Sequence, residues 1–357
     1  MTRRFSPERH YLAFAVWPAQ DQAVWAQLTE PGPTILDDRG AFADSRPRTN
    51  LTRQKNYSHW LNYITLNHPD LLPLMPTVRI RSDTLAGWLA VLDRTVAPYT
   101  RMRRAVDLLG IARAMDPDAD WGFLQRAVRS LTVRAVPSRN KEPCIRPSAE
   151  LVELGLALMR KAATMPAGRA RAATLHRDGL LIALLALRPL LRLRNLAGLE
   201  LGRALHQGSG GWRITVPADE TKTHRAIEVA WPPNLANALL VYLELHRPVL
   251  LHGSSAKALW IGSSGQALAA HSIRQTIIRR TQAALGVPIN PHLFRDCAAT
   301  TLAIEDPAHV GAAATILGHT SSRTTHKHYI HANTLVASRR HLAAVAARRR
   351  GANPRRS

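Results

Sequence analysis

Residues 291–296 read PHLFRD, residues 317–319 read LGH, and residues 328–331 read HYIH. In the first motif His292 and Arg295 are three positions apart, so a helix would present both side chains on one face. Taken singly, such residues are more often structural than catalytic. A lone histidine usually satisfies a local hydrogen bond, and an arginine on a helix is usually a solvated cation.

The second and third motifs add an imidazole and a phenol. Gly318 suits the left-handed residue that ends many helices, which places His319 at a turn. Tyr329 is the only tyrosine after Tyr242. A single tyrosine is usually a core residue with its hydroxyl at the rim, so the functional interpretation depends on all the polar side chains of the three motifs together.

The chain is strongly basic. Its 357 residues include 48 lysines and arginines against 25 aspartates and glutamates, a formal net charge of +23. An excess of this size favours a polyanionic partner, most simply double-stranded DNA, whose phosphates attract cations regardless of base sequence. The alternative is a basic protein whose charge serves no specific partner.

Cysteine content and hydropathy indicate the compartment. The two cysteines, Cys144 and Cys297, provide neither a disulfide framework nor a paired zinc motif. Residues 1–10 lack the apolar segment of a secretory signal. The most apolar run, 179–187, falls well short of the ~20 residues that cross a bilayer. We expect a cytoplasmic protein that uses no metal and no cofactor.

Hydrophobic periodicity predicts a mainly α-helical protein. Apolar residues recur at helical spacing in four segments between about residues 50 and 131. The next residues lose this period and contain two prolines, which is typical of a linker. The predicted organisation is an N-terminal extension that packs on the next domain (1–45), a helical domain (46–135), a basic linker (136–147), a larger α domain (148–335) and a basic C-terminal helix or tail (336–357).

Within the larger domain one segment departs from the helical pattern. Apolar residues alternate at 212–216 and again at 227–229, with a polar turn between them and an earlier GSGG turn at 208–211. This pattern predicts a small antiparallel sheet inside an otherwise helical domain. A helix over 233–246 is expected to follow it.

The order of the three C-terminal motifs resembles the signature of the tyrosine recombinase (phage integrase) family. Arg192-x-x-Asn195-Leu196 resembles the first arginine motif of that family, and Thr221-Lys222-Thr223 in the predicted turn resembles its β-hairpin lysine. The helical domain also looks like the all-α core-binding (SAM-like) domain of the family. The resemblance therefore covers most of the chain beyond residue 45 and implies a catalytic domain with a small antiparallel sheet.

The resemblance implies a site-specific DNA recombinase that cleaves and rejoins strands through a covalent 3′-phosphotyrosine intermediate. Two arginines and a histidine would donate hydrogen bonds to the non-bridging oxygens of the scissile phosphate, where negative charge develops. A second histidine would accept the phenolic proton, and a lysine would protonate the leaving 5′-oxygen. The implied catalytic residues are Arg192, Lys222, His292, Arg295, His319 and Tyr329, the last as nucleophile.

Three features depart from the family pattern. Asn195 stands where many members carry an acid that orients the arginine, and Arg188 and Arg194 are alternatives to Arg192 in the pocket. Asp296 stands where a histidine is frequent. The interval between the last two motifs is one residue longer than a common spacing of the family.

The predicted DNA contacts lie mainly in the helical domain and the linker. Their cations would follow a phosphate backbone, and the alternative is an ordinary solvated helix face. The residues are Arg53, Lys55, Arg101, Arg103, Arg104, Arg139 and Lys141.

The resemblance also implies a tetramer on two duplexes, accessory DNA-bending or directionality factors, and a C-terminal segment (336–357) that packs against a neighbouring protomer. Two other functions stay open from the sequence. A type IB topoisomerase-like relaxing enzyme would use the same pocket as a monomer. A DNA-binding architectural protein would carry the pocket without using it.

Overall fold

A computed structural model describes residues 7–34, 38–136 and 140–305. The chain divides into two compact units, residues 1–140 and residues 141–357, and each is described by itself below. The predicted fold class is confirmed, because the described residues are mainly helical and contain one small antiparallel sheet. No helix among these residues has the length and apolarity to cross a membrane.

The first unit is a helical bundle. The four helices predicted between residues 50 and 131 are present, and a shorter helix precedes them. The first of the four begins at Pro47, earlier than its hydrophobic period indicates, because proline suits the first turn of a helix. The helices are α1 (Ala19–Thr29), α2 (Pro47–Asn67), α3 (Ser82–Thr95), α4 (Pro98–Met115) and α5 (Gly122–Arg134).

Aromatic side chains fill the core of this unit. Trp17 packs edge-on against Trp25 and Tyr57, and Trp60 packs edge-on against Trp88. All five are buried, and such edge-to-face pairs stabilise a core beyond the area they bury. Because two of the tryptophans, Trp17 and Trp25, precede residue 45, the N-terminal segment shares this core.

The second unit is built around two helices in close contact, α6 (Ser148–Ala163) and α7 (Ala170–Leu187). Gly155 and Gly179 face each other where the two helices cross. A Cβ atom at Gly179 would lie 2.5 Å from the carbonyl oxygen of Gly155, and one at Gly155 would lie 2.6 Å from the carbonyl oxygen of Gly179. Glycine is therefore needed at both positions for the backbones to approach this closely.

Gly179→Ala should lower the free energy of unfolding of the second unit by about 2–3 kcal/mol, because the added methyl group overfills a packed contact. Urea titration followed by circular dichroism would measure the loss. Gly208→Ala is the matched control, since no atom lies within 4 Å of its Cβ position. Equal stability of the two variants would contradict the close crossing.

The predicted sheet has three antiparallel strands in chain order. They are β1 (Leu205–Gly208), β2 (Gly211–Val216) and β3 (Ile227–Ala230). Leu205 pairs with Ile214, and Val216 pairs with Ile227. Ile214 and Val216 are buried, so the alternating apolar positions face the core, and the predicted turns join the strands.

The remaining helices complete the core of the second unit. The single helix predicted over 233–246 is wrong in detail, because a 3₁₀ turn precedes it and a π-helical turn (Tyr242–His246) interrupts it. Pro248 lacks an N–H group and clashes with the carbonyl four residues earlier, which accounts for the widened turn. The helices are α8 (Leu193–Ala197), α9 (Ala236–Val241), α10 (Arg247–Leu251), α11 (Ala270–Leu285) and α12 (Leu293–Glu305).

Candidate active site

Asn290 sets the start of the helix that carries two of the predicted catalytic residues. Its Oδ1 accepts hydrogen bonds from the backbone N–H of His292 at 3.0 Å and of Leu293 at 3.3 Å. This side chain therefore caps α12 as N-cap residues commonly do. His292 lies just before the first helical residue, and Arg295 lies in the first turn.

The Arg295 side chain is held by the backbone at the end of α7. It is 5% exposed. Its Nη1 donates to the carbonyl oxygens of Pro189 at 2.9 Å and Leu190 at 3.4 Å. The helix break predicted at Pro189 thus has a second consequence, because the carbonyls of Pro189 and Leu190 lie outside any helix and can accept hydrogen bonds from a distant side chain.

Arg192 lies at the start of α8, in extended backbone, and is half-buried. Burial, and after it the charge of Arg192, lower the pKa of Arg295 to about 10, while Asp296 opposes the shift. The two guanidinium groups therefore lie within electrostatic range of each other. A phosphate bound by both would relieve their mutual repulsion.

The two alternatives to Arg192 lie in different surroundings. Arg188 donates from Nε to the carbonyl oxygen of Ala230 at 3.0 Å and from Nη1 to that of Leu187 at 3.1 Å. These bonds tie Arg188 to the end of β3. Arg194 is exposed. Arg192 is the one of the three whose charge acts on both Arg295 and His292.

The pKa of His292 is lowered, chiefly by partial burial of its ring. Asp296 acts against this shift, whereas the cations of Lys141, Arg295 and Arg192 add to it. A histidine with a lowered pKa is neutral at neutral pH and so has a ring nitrogen able to accept a proton. The surroundings of His292 thus suit a base.

Lys222 is exposed in the loop between β2 and β3, and its neighbour Thr221 anchors that loop. Thr221 is fully buried. Its hydroxyl donates to the carbonyl oxygens of Ala218 at 3.0 Å and Arg225 at 2.9 Å, and accepts from the N–H of Arg225 at 3.2 Å. A buried threonine with these bonds fixes the backbone beside the exposed lysine.

Asn195 connects this loop to the first arginine motif. The side chain is 6% exposed, and its Nδ2 donates to the carbonyl oxygen of Glu220 at 3.2 Å. From the sequence, Asn195 was notable only because many family members have an acidic residue at this position. Thr221 had no predicted role of its own. The available signal was that each lies next to a predicted catalytic residue, in two separate motifs, but a contact across the fold was needed to assign their roles.

Asp296 follows Arg295 and is nearly buried. Its Oδ2 lies 3.3 Å from the Nζ of Lys141, with the side chains 12% and 58% exposed respectively. Lys141, predicted to contact DNA, therefore forms an ion pair within its own unit.

The predicted DNA-binding cations of the first unit have varied surroundings. Arg101 pairs with Asp93, and Arg103 pairs with Asp107 at 2.9 Å. The Nε and Nη1 of Arg104, and the Nε of Arg101, are shielded from solvent and have no hydrogen-bond partner among the described residues. Burial lowers the pKa of Arg104 accordingly. The other two lie against aromatic rings: Arg53 over Phe42 and Lys55 over Tyr11.

Three predicted site residues lie outside the described residues. These are His319, the predicted nucleophile Tyr329 and the predicted linker residue Arg139, and the basic C-terminal segment (336–357) lies outside as well. The structure brings Arg192, His292 and Arg295 within electrostatic range of one another.

Comparison with known proteins defines the class. Residues 158–335 match the model of the phage integrase family, and this range includes all six predicted catalytic positions. Two solved structures share the fold. A XerH site-specific recombinase bound to difH substrate, in a pre-cleavage complex, is 16% identical with a TM-score of 0.55, over 90% of this chain and 96% of that one. A XerH site-specific recombinase in a post-cleavage complex with palindromic difH substrate is 18% identical with a TM-score of 0.54. That match covers 79% of this chain and 76% of the XerH chain.

The fold and the site motifs together define a tyrosine recombinase. Residues 158–335 form a phage integrase family domain, and the chain is a site-specific DNA recombinase. A search of curated protein sequences gives no match.

Proposed function

We propose that this recombinase cuts and rejoins DNA strands through a covalent bond between Tyr329 and a 3′-phosphate. The observation that carries the proposal is the pairing of two guanidinium groups, Arg192 and the nearly buried Arg295, within electrostatic range of each other beside His292. Such a pair suits a single phosphodiester, because bidentate donors match its two non-bridging oxygens.

Each chemical step of DNA cleavage is then assigned to a particular side chain. Arg192, Arg295 and His319 stabilise the charge that develops on the non-bridging oxygens. His292 accepts the phenolic proton of Tyr329, since a tyrosine of pKa ~10 is mostly protonated at neutral pH. The phenolate oxygen bonds to phosphorus as the bond to the 5′-oxygen breaks.

Lys222 supplies a proton to that departing 5′-oxygen. The phosphotyrosine bond keeps the energy of the phosphodiester, so a second 5′-hydroxyl can reverse the step without ATP. Side chains supply the charge neutralisation throughout.

The wider assembly is part of the same proposal. The helical domain (46–135) would clamp double-stranded DNA together with the basic linker (136–147), and four protomers would hold two duplexes, aided by accessory DNA-bending or directionality factors. Lys55 and Arg103 support the clamp, because both side chains are exposed and can approach a phosphate backbone. Chromosomal DNA as substrate would place the protein in the bacterial cytoplasm, at the nucleoid.

A covalent adduct tests the proposal. Denaturant would trap the protein on fragmented genomic DNA, and sequencing of the attached fragments would identify the site. A nicked duplex of that sequence should then accumulate an adduct with the natural chain and none with Tyr329→Phe. Absence of any adduct would leave a DNA-binding protein without activity. Cleavage that needs no paired inverted repeat would instead favour a topoisomerase-like relaxing enzyme.

Thr221→Val should slow cleavage about tenfold, because loss of the hydroxyl removes the bonds that fix the loop beside Lys222. The rate would be measured in a single turnover on the nicked duplex. A substrate with sulfur in place of the bridging 5′-oxygen should restore the rate, since a thiolate leaves without being protonated. Thr223→Val is the control and should cleave normally. A defect in Thr221→Val that sulfur does not restore would contradict this role of the loop.

A further inference from the structure

The ion pair between Lys141 and Asp296 lies beside the predicted base. Asp296 is on α12, four residues after His292 and next to Arg295, and its carboxylate is nearly buried. Lys141 approaches from the segment before α6, 155 residues away in sequence, and its Nζ lies 3.3 Å from Oδ2. A nearly buried carboxylate needs such a partner, because an uncompensated buried charge is strongly unfavourable.

The pair acts on His292 through two opposed charges. Asp296 raises the pKa of the imidazole, while Lys141 lowers it. The other charged groups that act on His292 are Arg295, on the same helix, and Arg192, at the start of α8, and both lower its pKa. Without Lys141 the carboxylate four residues from His292 would lose one of its counter-charges and would favour the imidazolium.

We propose that Lys141 is a positioning residue that neutralises Asp296 and thereby keeps His292 in its neutral, proton-accepting form. The inference rests on the proposed function only in its effect on cleavage. It also gives a role to the departure at Asp296, where the family frequently has histidine. Lys141 adds a third cation beside the two arginines and offsets the effect of this acid on His292.

The inference has a direct test that does not require catalysis. The ring of His292 would be titrated by NMR with labelled histidine in the full chain, assigned with His292→Gln. Lys141→Met should move the midpoint to higher pH, and adding Asp296→Asn should reverse that shift. Lys141→Arg should retain the natural midpoint, because it keeps the charge. Lys161→Met, an exposed lysine on α6, is the control.

The cleavage rate gives the second measurement. In Lys141→Met the acidic limb of the pH–rate profile should move to higher pH, and the double variant Lys141→Met, Asp296→Asn should regain activity. When the pKa of His292 rises by about one, the neutral fraction of the imidazole falls about tenfold at a pH well below the midpoint. A structural role alone would not be rescued by a second substitution.

The two measurements separate the possible failures. An unchanged His292 midpoint in Lys141→Met overturns the inference, whatever the cleavage rate. A raised midpoint that Asp296→Asn does not reverse overturns it as well. A raised midpoint with an unchanged pH–rate profile supports the electrostatic link and removes His292 as the base, which is a failure of the proposed function.

Discussion

Arg295→Lys should slow DNA cleavage roughly a thousandfold, a loss of about 4 kcal/mol in transition-state stabilisation. The guanidinium is nearly buried, and its Nη1 donates to the carbonyl oxygens of Pro189 and Leu190. A planar fork can hold those carbonyls and still present a bidentate edge to phosphate. An ammonium group has neither the reach nor the geometry, and it is more strongly hydrated.

The cleavage rate would be measured in single turnovers on the nicked duplex at saturating protein. Weaker DNA binding by a variant then does not change the measured rate. Arg192→Lys should show a loss of similar size. Arg194→Lys is the matched control, because this side chain is exposed close to Arg192, and its rate should stay within about twofold of the natural one. A normal rate in Arg192→Lys with a loss in Arg194→Lys would move the assignment to Arg194.

A DNA-binding titration separates the two effects of charge and geometry. Lysine keeps the positive charge, so the salt dependence of binding by Arg295→Lys should match that of the natural chain. A loss confined to the cleavage step would then assign Arg295 to the transition state. A cleavage rate within tenfold of the natural value would instead contradict its proposed place on the scissile phosphate.

Local sequence signals were sufficient for most of the helices and for the sheet. The apolar period predicted the helices of the first unit, the proline at 189 ended α7, and alternation predicted β2 and β3. These features depend on neighbours within a few residues. The π-helical turn at 242–246 was missed because its cause, Pro248, lies beyond the segment whose pattern it alters.

The site was predictable as a set of residue types and not as a set of contacts. The three-residue spacing of His292 and Arg295 lies within one helical turn, so their closeness could be predicted from the sequence. The carbonyl oxygens that hold Arg295 are about a hundred residues away, and the lysine that pairs with Asp296 is 155 residues away. Such contacts depend on how the helices pack against one another, which the amino-acid composition does not predict. The closeness of α6 and α7, made by Gly155 and Gly179, is of the same kind.

Asp178→Ala should lower the free energy of unfolding of the second unit by about 3–5 kcal/mol. The carboxylate of Asp178 is fully buried and joins two arginines. Its Oδ1 accepts from Nε (3.0 Å) and Nη2 (2.6 Å) of Arg177, and its Oδ2 accepts from Nε (2.9 Å) and Nη2 (2.8 Å) of Arg280. Removing the acid would leave two guanidinium groups without the charge that holds them.

Chemical denaturation would measure the change, and hydrogen exchange would locate it. Glu228→Ala is the control, because its pair with Arg213 on the sheet surface is exposed on both sides and should contribute at most about 1 kcal/mol. Exchange should increase first in α7 and α11, the helices that Asp178 and Arg280 join. Since α7 leads into Pro189 and Leu190, whose carbonyls accept hydrogen bonds from Arg295, loss of this buried link should also loosen the arginine that we propose binds the phosphate. Equal stability of Asp178→Ala and Glu228→Ala would contradict a structural role for the buried pair.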